Sequence, residues 1–160
     1  MAELHPQLID VATLLGTWTG SGRGEYPTIE PFEYTETITF DHVGKPFLAY
    51  AQRSRSIATS MPMHAESGYW RFPVVGLVEV VLSHPTGITE IEQGTIMTEP
   101  SGVIVIELIS KVISMTTTAK TVTALERSIR IDGDVLDYQI SMAAVGLPLQ
   151  PHLAARLVRE

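Results

Sequence analysis

Five histidines and no cysteine set the metal chemistry open to this chain. Disulfides and thiolate metal sites are excluded, and a haem iron, were one bound, could be held only by His, Met or Tyr. His152 has the most suggestive setting. It lies in Val145-Gly146-Leu147-Pro148-Leu149-Gln150-Pro151-His152-Leu153-Ala154-Ala155, an apolar and almost chargeless segment stiffened by two prolines. A lone histidine there is most often a hydrogen-bonded core residue, and the alternative is a ligand. His64 and Glu66 share a strand face at i, i+2 and could touch a metal, but no further ligand follows at a recognisable spacing. A polar pair inside or at the rim of the fold is the simpler reading. His5 is terminal, and His42 and His84 fall in expected turns. Glu90 and Glu92 also share a face and are expected to be solvated. No G-x-S-x-G elbow is present to support a serine triad.

The stretch Gly16-Thr17-Trp18-Thr19-Gly20-Ser21-Gly22-Arg23-Gly24-Glu25-Tyr26 organises the rest. As an extended strand it puts Trp18, Gly20, Gly22, Gly24 and Tyr26 on one face and a wholly polar set on the other. Two aromatics thus bracket three positions with no side chain. Such a strand either curves sharply or lets a flat ligand approach its backbone, and both readings stand. There is no G-x-G-x-x-G, and no Lys-Ser/Thr follows to hold a phosphate.

These residues need a scaffold. Pro6 to Leu15 reads as a short helix with Leu8, Val11, Leu14 and Leu15 on one face, closed by Gly16. After the glycine strand, Phe32, Tyr34, Ile38 and Phe40 alternate with polar residues. Further strands are expected at 47–57, 63–72, 77–83, 88–97, 103–112, 121–131, 135–143 and 153–158, separated by Gly, Pro and Asp turns. About ten strands at hairpin spacing, with no second helix to cross over, indicate an all-β, antiparallel up-and-down barrel of the calycin or fatty-acid-binding-protein type. Ten strands enclose more space than side chains readily fill, so a ligand cavity is expected. Residues 1–160 form one domain, large enough to bury roughly 70% of the unfolded surface.

Eleven Lys and Arg against 18 Asp and Glu give a net charge of −7. Basic clusters are absent, which argues against nucleic acid or an anionic membrane as the main partner. The segment Met1 to Pro6 lacks the pattern of a signal peptide, and no apolar run approaches membrane-spanning length. A cytoplasmic protein is expected.

The sequence resembles the nitrobindin family. The resemblance rests on Gly16-x-Trp18-x-Gly20-x-Gly22 continuing through Gly24-x-Tyr26-Pro27-Thr28-Ile29-x-Pro31-Phe32-x-Tyr34. It extends to His42-Val43-Gly44-Lys45-Pro46, His64-x-Glu66-x-Gly68-Tyr69 and Pro148-Leu149-Gln150-x-His152-Leu153. It implies a ten-stranded barrel binding ferric haem b at its open end, with His152 as the axial ligand of the iron. Thr28 and Lys120 fall where that family places haem contacts. The implied activities are isomerisation of peroxynitrite to nitrate and reversible binding of nitric oxide, and a homodimer is the assembly considered. The resemblance also reads Gly20, Gly22 and Gly24 as the bare backbone against which the macrocycle lies. The alternative function is a small-hydrophobe or lipid-binding barrel, or a haem carrier without catalysis.

Overall fold

Alternation of apolar and polar residues does close this chain into a barrel. The computed structural model describes residues 2–160, so Met1, where the signal-peptide reading begins, lies outside the described residues. Ten strands follow one another: β1 (Gly16–Tyr26), β2 (Ile29–Asp41), β3 (Phe47–Ser56), β4 (Pro62–Arg71), β5 (Leu77–His84), β6 (Ile88–Thr98), β7 (Ile104–Met115), β8 (Val122–Asp132), β9 (Val135–Ala144) and β10 (Gln150–Arg159). Each pairs antiparallel with its sequence neighbour, and β1 pairs with β10 to close the ring. Among the described residues, every strand thus has a neighbour on both sides.

Up-and-down topology gives the two ends different characters. The N-terminal helix, Pro6–Leu14, covers one end; the β1–β2, β3–β4, β5–β6, β7–β8 and β9–β10 connections ring the other. The helix is a 3-10 helix rather than an α-helix. Its buried residues, Leu8, Val11 and Leu14, recur every three positions, the period of the tighter helix. Leu15, expected on the same face, is only half buried. The Trp18 indole N–H donates to the Leu14 carbonyl at 2.9 Å, pinning the helix to the first strand.

The glycine strand corrects one expectation. A Cβ at Gly20 would collide with the Arg156 carbonyl and the Leu157 backbone of β10. One at Gly22 would lie 2.6 Å from Ala155 Cβ and from the Tyr34 ring, and one at Gly24 would enter the Phe32 ring. The chain's own strands and aromatic rings therefore fill the space that these glycines leave. Curvature and close strand packing explain them, and no bare face remains there for a planar ligand.

Candidate functional site

The open end leads into a cavity of about 550 Å³, within the range of small-molecule and cofactor sites. His152, Thr28 and Lys120 all line it. Thr28 and Lys120 are exposed, whereas His152 is half buried. Phe40, Tyr50 and Trp70 pack together toward the closed end, with Phe40 edge-on to Trp70 at 5.3 Å between ring centres.

His152 enters the cavity because β10 breaks register. Pro151 pairs with Ser141 and Leu153 with Ile140, so His152 is the extra residue of a bulge. A bulge re-aims a side chain that strict alternation would turn outward. His152 Nδ1 lies 2.9 Å from the Glu25 carbonyl. A carbonyl only accepts, so Nδ1 carries the proton and Nε2 keeps its lone pair. The Tyr26 ring stands edge-on to the imidazole, 5.4 Å away at 76°. Tyr26 is held in turn: its hydroxyl accepts from the Ala144 amide at 2.9 Å and lies 3.2 Å from the Met142 carbonyl. Burial is the main cause that lowers the His152 pKa from its ordinary value, outweighing the Glu25 contact. The site therefore presents a neutral, oriented imidazole.

Deeper in, the barrel is polar in a way the sequence reading missed. Arg127 of β8 is buried among three carboxylates. Its Nη1 and Nη2 reach Glu66 at 2.8 and 3.2 Å, Nη2 reaches Glu90 at 2.6 Å, and Nε reaches Glu92 at 3.0 Å. Glu90 and Glu92 are 1% and 0% exposed, so the expectation of a solvated pair is wrong. They follow Ile88 on the inward face of β6, where only an internal cation makes carboxylates tolerable. His84, expected in a turn, belongs to a strand instead. It ends β5 with a side chain only 8% exposed, 3.1 Å from His64 and 3.5 Å from Glu66. Burial alone would raise the Glu66 carboxyl; the Arg127 guanidinium, then the nearby His64, holds it below the usual range instead.

A second chain of contacts runs beside the first. The Tyr138 hydroxyl donates to Glu36 at 2.7 Å and lies 2.7 Å from the Tyr34 hydroxyl, while Gln52 donates to Glu36 at 2.6 Å. Burial pushes Glu36 up to about 7 despite these donors. The signal was present in the sequence: Tyr34-x-Glu36-x-Ile38-x-Phe40 sets an acid on an apolar face, and Arg127 holds the same place between Leu125 and Ile129.

The family model of the THAP4-like, heme-binding beta-barrel domain matches residues 7–159. The chain belongs to this family. Among curated relatives of this haem-binding barrel is "Peroxynitrite isomerase 2" of Mycobacterium ulcerans, 60% identical over 99% of this chain and 98% of the relative. The protein of the same name from Mycobacterium avium is 57% identical over 99% and 98%. The crystal structure of Rv2717c from M. tuberculosis superposes with a TM-score of 0.96 at 53% identity, covering 99% of both chains. An S-type phycobiliprotein lyase, CPES from Guillardia theta, shares the fold alone, with a TM-score of 0.59 at 10% identity over 92% of this chain and 89% of that one. Haem fits what the cavity offers. The free Nε2 of His152, with Nδ1–H tied to a carbonyl, is the arrangement in which proteins present histidine to a metal. No helix among the described residues is long and apolar enough to cross a membrane.

Proposed function

We propose that the chain holds a ferric haem b on His152 and converts peroxynitrite to nitrate, as the names of its mycobacterial relatives suggest. The observation carrying this reading is the Nδ1–H contact of His152 to Glu25, which leaves Nε2 free inside the cavity. The absence of cysteine supports a non-covalent, b-type cofactor.

A bound haem supplies Lewis acidity and redox capacity at iron. His152 supplies one neutral nitrogen, and its bond to Glu25 fixes the ring and raises the basicity of Nε2. Tyr26 limits rotation of the imidazole. Thr28 and Lys120, exposed on the cavity lining, would offer a hydroxyl and a cation to the carboxylates of the cofactor. Apolar side chains that include Ile38, Leu125 and Ile140 would confine a small anion while its atoms rearrange. Isomerisation neither adds nor removes a proton, so no general acid or base is required. The same site would bind nitric oxide reversibly.

The lipid-binding alternative finds no anchor in the buried Arg127. All three guanidinium nitrogens of Arg127 already serve glutamates, leaving it unsuited to a fatty-acid carboxylate. Stopped-flow decay of peroxynitrite with nitrate analysis tests the proposal. Haem-loaded protein should accelerate decay and yield nitrate; decay equal to that in buffer would reduce the chain to a haem-binding module.

A further inference from the structure

The cavity wall opposite His152 carries a second set of ligand atoms. Going round the barrel, β5 lies five strands from β10 in either direction. At that wall His64 Nε2 and His84 Nδ1 are 3.1 Å apart. Glu66 Oε2 is 3.8 Å from the first and 3.5 Å from the second. A point about 2 Å from all three atoms exists, the bond length at which zinc and similar dications take imidazole and carboxylate ligands.

The surroundings are built as those of metal sites are. Glu66 Oε1 accepts from Tyr50 at 2.7 Å and from Arg127 at 2.8 Å, whereas Oε2 receives only the longer 3.2 Å contact. Oε2 therefore retains a lone pair toward the histidines. Behind His84, its Nε2 lies 3.5 Å from Glu90 Oε1 with no hydrogen bond between them, so a carboxylate stands on the side of the ring away from the other two ligand atoms. His84 Nε2 and Glu90 Oε2 both lack a hydrogen-bond partner, in side chains only 8% and 0% exposed. Glu66, Glu90 and Glu92 share the single guanidinium of Arg127.

We propose that His64, Glu66 and His84 form a binding site for a divalent first-row transition cation, opening onto the cavity. Two imidazoles and a carboxylate make a three-ligand face that leaves further coordination positions free. The proposal is independent of the role given to His152.

Zinc is the probe. Haem-loaded, full-length protein dialysed against zinc should retain one zinc per chain beyond its iron. X-ray absorption at the zinc edge should show two imidazoles and oxygen. His64→Ala and His84→Ala should each weaken zinc binding at least about tenfold. His64 is partly exposed, so its variant keeps the test valid if changes at buried His84 disturb folding. His152→Ala should leave zinc binding in place, and the variants' haem content reports separately on the haem site. Failure to retain zinc would overturn the proposal, leaving a hydrogen bond between two histidines. Zinc lost with His152→Ala but kept with His84→Ala would overturn it too, placing the ion on the wrong wall.

Discussion

Arg127 and Glu66 meet in a two-pronged ion pair inside the barrel, with both side chains 6% exposed. Taking two charges out of water is costly, and only the complete set of partners offsets it. Arg127→Met would leave Glu66, Glu90 and Glu92 without their cation. The expected loss is about 3–5 kcal/mol, read from urea unfolding. Arg156→Met, which removes a surface pair with Asp137, should scarcely move the midpoint. Equal small effects would mean that the internal cluster is balanced by something other than Arg127.

Glu36 should make stability depend on pH in an unusual direction. Burial lifts its carboxyl from 4.5 to about 7. A pKa raised by folding gives stability that is complete below the unfolded value and lost as pH rises through the folded one. Between pH 4.5 and about 7 the wild type should lose this contribution, and Glu36→Gln should show a flatter profile in thermal melts. Gln52 Oε1 lacks a partner, and turning its amide would let it accept the proton of a neutral Glu36. An unchanged slope in the variant would assign the titration elsewhere.

Much of the barrel was legible because alternation survives wherever one wall faces water. The expected strands lie within a few residues of those found, and His152, Thr28 and Lys120 do share one cavity. The interior network was not legible, because the reading equated charge with solvent. Glu90 and Glu92 read as polar until the register places Arg127 across from them. His84 was lost to the His84-Pro85-Thr86-Gly87 turn, although it is the last residue of its strand. The bulge at His152 depends on the register of β10 against β9, which the alternation along β10 alone does not mark.

Gly20 tests whether the glycine strand serves packing or a ligand. Its missing side chain makes room for the backbone of β10, which cannot move aside as a side-chain tip can. Gly20→Ala should therefore destabilise the haem-free barrel by about 1–3 kcal/mol, measured by chemical denaturation. A haem-free Gly20→Ala protein as stable as the wild type, but with weakened haem binding, would restore the ligand reading.

His152 is the residue proposed to hold the haem. Haem titration of the apo-protein, followed by absorbance, tests it most directly. Wild type should saturate at one haem per chain with a sharp Soret band. His152→Ala should shift that band and bind haem far more weakly, while His64→Ala should retain haem nearly as wild type does. Unaltered affinity and spectrum in His152→Ala, with the loss appearing in His64→Ala instead, would contradict the account.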